Sequence, residues 1–221
     1  MSLIAKKLLS WFYPVRVETT QGELKHILEV NLYRGKMYLD TAYVNYSFGA
    51  LQEVFDHAFK STELYDQDIR SALILGYGSG SVAELLLTKC NYEMNITGVE
   101  ADSEVIRLAH AYFPVNGNPK ITIIHQDAVK FVESERNRYN LIVVDLFVED
   151  QVPGDCQSLE FLSRLRHLLS ENGKVYFNQM NLIHDTDGAT TLVRNFETTF
   201  QSTRNINVYR GGAGNRVLIR K

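Results

Sequence analysis

Ser71–Glu100 restricts the possible folds more than any other part of the 221-residue chain. It begins with a short apolar run, Ala72 to Leu75, ended by Gly76-Tyr77-Gly78-Ser79-Gly80. Helix formers follow from Val82 to Leu87, then a second strand-like run from Asn95 to Val99 with Glu100 directly behind it. The order is strand, glycine turn, helix, strand and a terminal acid. Glycines let the backbone turn sharply and let a ligand come closer than a Cβ allows. A helix starting near Gly80 aims its unpaired N–H groups above that turn. Glu100 comes 24 residues after Gly76, near the roughly 20-residue offset at which an acid accepts from ribose hydroxyls. Together these features predict a nucleoside site; a structural turn with a chance glutamate is the plainer alternative. The spacing is G-x-G-x-G, and the third glycine of the dinucleotide pattern is replaced by Ser81. This favours a ligand without a pyrophosphate, such as an S-adenosyl sulfonium nucleoside, over a nicotinamide cofactor.

Composition narrows the classes around that site. Hydrophobic residues at 45% and charged residues at 22% fit one α/β domain with a sizeable core and a small appendage. A net charge of −3 offers no general attraction to nucleic acid or to an anionic membrane. No apolar run approaches the roughly 18 residues of a membrane span. Lys6-Lys7 before Leu8-Leu9-Ser10-Trp11-Phe12-Tyr13-Pro14 faintly resembles a signal peptide, but no small-residue cleavage site follows, so a packed or partner-facing helix is expected. Cys90 and Cys156 make no disulfide framework, which points to a reducing, cytoplasmic setting.

The pattern divides the chain at about residue 47. Residues 1–47 hold an N-terminal segment and a β appendage, with His26 to Leu32 and Lys36 to Thr41 flanking a turn at Arg34-Gly35. This small antiparallel sheet is expected to form a lid or a dimer surface. Residues 48–221 form the main domain. Phe48 to Lys60 carries an apolar face at helical spacing. Ser103 is expected to cap a helix running to about Tyr112, and Gln126-Asp127-Ala128 to lead into another. Leu141 to Val144 is a buried strand that ends in Asp145. Glu171 to Lys174 reads as a turn before a strand from Val175 to Gln179. Ser202 to Tyr209 and Arg216 to Arg220 read as strands joined by a hairpin turn at Gly211–Asn215, where no helix follows to bind phosphate. The fold class is therefore α/β: a Rossmann-like, mostly parallel sheet of five β-α units with a C-terminal antiparallel hairpin.

With these residues placed, the chain resembles the spermidine synthase-like branch of the class I S-adenosylmethionine-dependent methyltransferase fold, from about His26 to Asn181. The glycine loop, Glu100, Gln126-Asp127-Ala128 and Asp145 match its nucleoside site. Ala50-Leu51-Gln52-Glu53-Val54-Phe55-Asp56-His57 is similar to the A-Y-Q-E-M-x-x-H helix of polyamine aminopropyltransferases, and Leu39-Asp40 in the appendage matches too. The resemblance implies that Glu100 holds the ribose and that Asp127-Ala128 flank the adenine. It implies that Gln52 with Gly76, Gly78 and Gly80 approaches the amino-acid or aminopropyl end of S-adenosylmethionine or its decarboxylated form, and that Asp145 faces the reacting amine. Three positions depart from the family pattern: Ser79 and Val148 replace acids that grip a diamine, and Leu51 replaces a tyrosine. Glu149 and Asp150 offer compensating acids nearby, though not at matching positions. A hydrogen bond to a charged partner is worth about 1.5–3 kcal/mol. Losing two costs about 10²–10⁴ in affinity.

Methyl and aminopropyl transfer are both in-line attacks on a carbon attached to a sulfonium, and positioning supplies much of the catalysis. The lost diamine acids tilt the expectation towards methyl transfer to a small molecule, with aminopropyl transfer as the alternative and non-catalytic nucleoside binding as a further one. An alkylammonium has a pKa near 10 and an aspartate near 4 (about six units apart). Asp145 in water is then a poor base, so an orienting role stands beside proton acceptance. Tyr46, Phe48, Tyr77 and Phe147 are candidates for an apolar substrate pocket, though aromatics at such spacing are as often core. His26, His57, His110, His125, His167 and His184 show no metal-ligand spacing, and no metal is expected. The expected partner is a small-molecule acceptor, with a homodimer suggested by the appendage and Trp11-Phe12-Tyr13.

Overall fold

A computed structural model describes residues 3–23, 26–41, 45–47, 50–147, 151–180, 188–210 and 213–220. After a short helix α1 (Leu3–Leu9), strands β1 (Val15–Gln21), β2 (Ile27–Tyr33), β3 (Lys36–Thr41) and β4 (Asn45–Ser47) pair in sequence order as an antiparallel sheet. The β2–β3 turn takes positive φ at both central residues, Arg34 at 49° and Gly35 at 77°. That twist suits a two-residue hairpin. One face of this sheet closes on the main domain: Leu28, Val30 and Leu39 form a buried cluster with Val105, Leu108 and Phe113. Trp11, Phe12 and Tyr13 stand exposed beside it.

The main domain alternates α2 (Ala50–Ser61), β5 (Ser71–Leu75), α3 (Ser81–Lys89), β6 (Asn95–Glu100), α4 (Ser103–Tyr112), β7 (Ile121–His125), α5 (Ala128–Ser134), β8 (Tyr139–Val144), α6 (Leu159–His167), β9 (Leu169–Gln179) and α7 (Gly188–Thr199), then ends with β10 (Thr203–Arg210) and β11 (Ala213–Arg220). The sheet order is β10-β11-β9-β8-β5-β6-β7, parallel from β9 to β7 and antiparallel at the final hairpin. Strands this apolar are covered on both faces. In β5, Ala72 and Ile74 join α2 and α3 in one core, while Leu73 and Leu75 join α5, α6 and α7 in the other. The chain runs outward from β5 to β7, then restarts at β8 on β5's other side. The crevice above the tips of β5 and β8 is therefore the topological switch point, where open α/β sheets bind ligands.

Three local expectations are corrected. Asp102, not Ser103, caps α4: its Oδ1 accepts from the N–H groups of Glu104 at 2.9 Å and Val105 at 3.4 Å. The Ser103 hydroxyl instead donates to Glu23 in the appendage. Glu171–Lys174 is not a free turn but part of β9, where pairing slips from Tyr139–Leu169 to Leu141–Lys174. The extra residues are absorbed as a bulge against a fixed partner strand. Asn215, read as loop, lies in β11. Gly211 and Gly212 lie outside the described residues.

Candidate active site

The glycine loop forms because β5 must end against β8. A Cβ on Gly76 would meet the Asp145 carbonyl oxygen at 2.2 Å. Gly76, Gly78 and Gly80 all have positive φ, at 80°, 57° and 94°, a region that costs an L side chain strain. The Gly76 and Tyr77 N–H groups both donate to the Val99 carbonyl at 3.0 Å, tying the loop to β6. The Tyr77 ring lies over Gly98, where a Cβ would meet it at 2.1 Å. Its hydroxyl donates to Asn116 Oδ1 at 2.6 Å, and Asn116 Nδ2 donates to the Ser79 carbonyl at 3.0 Å. Tyr77 is therefore a buried brace for the loop, and the expectation that it lines a substrate pocket is corrected.

Above the loop lies a cavity of about 510 Å³ that brings together Gly76, Gly78, Glu100, Asp127, Ala128 and Asp145. Phe147 and Leu51 also line it. Gln52 does not; it points to Glu84, donating from Nε2 to Oε2 at 3.0 Å. Gly80 serves as the left-handed N-cap of α3 and is not among the lining residues. Tyr46 lies on β4 without a described side chain. Phe48, Val148, Glu149 and Asp150 lie outside the described residues.

Glu100 is buried, and among the described residues its carboxylate is held by backbone N–H groups. Oε2 accepts from Gly78 N–H at 2.9 Å, and Oε1 from Ala101 and Asp102 N–H at 2.9 and 3.1 Å. Burial pushes its pKa up against these three bonds. Each carboxylate oxygen accepts about two hydrogen bonds. Oε1 is thus filled, while Oε2 keeps one lone pair for a hydroxyl in the cavity. Asp127 caps α5 by accepting from Lys130 N–H at 3.0 Å. Its position on the cavity wall leaves the remaining carboxylate capacity for a ligand.

Asp145 sits at the tip of β8 with its N–H donated to the Leu75 carbonyl at 2.8 Å. Burial raises its pKa to about 7, with Asn178 opposing and Glu100 adding to the rise. Asn178 Nδ2 donates to Asp145 Oδ1 at 2.9 Å, and Asn215 Nδ2 donates to Asn178 Oδ1 at 3.1 Å. Such a carboxyl exchanges protons near neutrality, unlike an aspartate in water. Nearby, Ser79 Oγ and Gln179 Oε1 are buried without a hydrogen-bond partner among the described residues. Buried polar atoms of this kind are uncommon away from functional sites.

The model of the spermine/spermidine synthase domain family matches residues 50–210, a span that contains every lining residue of this cavity. This chain belongs to that family. A probable polyamine aminopropyl transferase from Bifidobacterium longum is 35% identical over 136 residues, covering 61% of this chain and 29% of the relative. A polyamine aminopropyltransferase from Buchnera aphidicola is 30% identical over 156 residues, covering 65% of this chain and 53% of the relative. The chain thus spans about half or less of the length of these two family members. The crystal structure of a probable spermidine synthase from Corynebacterium glutamicum superposes with a TM-score of 0.79 at 19% identity, over 93% of this chain and 80% of that one. That likeness establishes the fold. The expectation of methyl transfer finds no support in the family match or these relatives, which favour the aminopropyl alternative.

Proposed function

We propose that this chain transfers an aminopropyl group from decarboxylated S-adenosylmethionine to a primary amine of a small molecule. The observation that carries this reading is one cavity, in a chain of this family, lined by both Glu100 and Asp145. The donor supplies a carbon activated by its sulfonium; the amine nitrogen bonds to that carbon as the carbon–sulfur bond breaks, its electron pair staying on sulfur. Glu100 Oε2 accepts a ribose hydroxyl through its spare lone pair. Gly76 and Gly78 keep the loop wall free of side chains, and Ala128 with Asp127 borders the adenine. Asp145 orients the attacking amine and takes the proton that leaves it, a task for which a pKa of about 7 is better matched than one near 4. Ser79 offers a hydroxyl where the family pattern has an acid, so the acceptor is held less by charge than a typical diamine is.

Calorimetric titration tests the nucleoside half of the reading. Decarboxylated S-adenosylmethionine and 5′-methylthioadenosine should bind tighter than S-adenosylmethionine and S-adenosylhomocysteine. The reverse order would support a methyltransferase site, and binding of none would refute the nucleoside assignment.

A further inference from the structure

Asp145 is the inner end of a chain of side-chain amides that crosses three strands. Asn178 on β9 is fully buried and Asn215 on β11 is nearly so. Both stand on well-paired strands, Asn178 opposite Val217 and Asn215 opposite Val208. An ionised carboxylate only accepts hydrogen bonds, so the Asn178 amide must turn its NH₂ towards Asp145. Its carbonyl then faces Asn215, which must answer with its own NH₂. Each amide is usable in only one orientation, and the order is dictated by the charge at the end.

We propose that Asn178 and Asn215 are positioning residues for the transfer: Asn215 locks the Asn178 amide, and Asn178 holds Asp145 Oδ1 so that Oδ2 is left to serve the amine. The inference rests on the proposed role of Asp145. The relay also favours the ionised carboxylate, because the donated N–H opposes the effects of burial and of the Glu100 charge. Among the described residues, the other charged groups around the cavity are Asp127, Lys130 and Glu133 on the α5 side and Asp155 beyond Pro153. Among the described residues, only the Asn178 side chain donates a hydrogen bond to this carboxylate.

The test is a titration of the Asp145 carboxyl carbon by NMR in the ligand-free full chain, its signal assigned by its loss in Asp145→Asn. Wild type is compared with Asn178→Val and Asn215→Val, since valine suits a strand and removes the amide. Losing a hydrogen bond to a charged group should raise the Asp145 midpoint by about one to two pH units in Asn178→Val. Asn215→Val should move it in the same direction by less, and it serves if Asn178→Val does not fold. With decarboxylated S-adenosylmethionine and 1,4-diaminobutane, a one-unit rise should cut turnover at pH 7 by about fivefold and leave it nearly restored at pH 9. A midpoint unchanged in both variants would overturn the relay. The NMR titration needs no turnover, so it separates failure of the relay from failure of Asp145 as the proton acceptor, which active Asp145→Asn would reveal.

Discussion

At the scale of single residues, Asp145 has to satisfy two opposing demands. Its burial at the tip of β8 raises its pKa to about 7, which suits proton exchange but opposes holding charge. Turnover at saturating substrate should therefore rise with pH up to about 7 and then level. Asp145→Asn should lower it by about 10²–10⁴ while nucleoside affinity stays as it was. The same shift carries a stability signature. Between pH about 4 and about 7 the folded protein keeps a proton that the unfolded chain has released. Stability falls as pH rises across that window, so Asp145→Asn should melt above wild type at pH 8, the gap closing towards pH 4. A wild-type melting temperature independent of pH across the window would contradict the buried, protonated carboxyl. Glu100 and Asp145 were legible in the sequence because each stands directly after an apolar run, Glu100 as the last residue of β6 and Asp145 just beyond β8, and strand tips meet at the switch point. Asn116 and Asn178 were not. Their partners lie 39 and 33 positions away, and nothing in the local pattern of an asparagine announces a partner at that separation.

At the scale of elements, the glycine loop is held from behind as well as shaped by its own glycines. Tyr77 packs over Gly98 of β6 and is pinned by Asn116, so a bare position in one strand supports a turn in another. Gly98→Ala should force the ring away, lower stability by about 1–3 kcal/mol and weaken nucleoside binding together with it. Denaturant unfolding paired with calorimetry checks both; a variant of unchanged affinity would disconnect the brace from the site. Tyr77 illustrates why aromatic residues near a motif are ambiguous in sequence. Its neighbours Gly76 and Gly78 face the cavity, yet the ring is buried on the other side. Apolar runs predicted the strands well, since both faces of the sheet are covered. The bulge in β9 is not legible locally because Asn172-Gly173 carries the chemistry of a turn; it is the pairing of the flanking Leu169 and Lys174 with β8 that carries the strand across that stretch.

At the scale of the whole molecule, the N-terminal sheet is joined to the domain through a shared core. Leu39 is fully buried in a cluster with Val105, Leu108 and Phe113, and Thr20 donates to Glu104 at 2.9 Å. Leu39→Ala should cost about 2–5 kcal/mol, lowering the melting temperature by roughly 2–4 °C for each kcal/mol within a single transition. A separate early transition would mean that the sheet melts alone. The sheet itself could be read from its hairpin turn and alternation, but its docking partner could not, because that depends on the apolar face of a helix some seventy positions away. Whether the assembled cavity performs aminopropyl transfer is decided most directly by following products. The chain is incubated with decarboxylated S-adenosylmethionine or S-adenosylmethionine and a panel of primary amines and diamines. Release of 5′-methylthioadenosine matched by an aminopropylated amine, from the decarboxylated donor alone, is the predicted result. Formation of S-adenosylhomocysteine with a methylated amine, or no product from either donor, would contradict it.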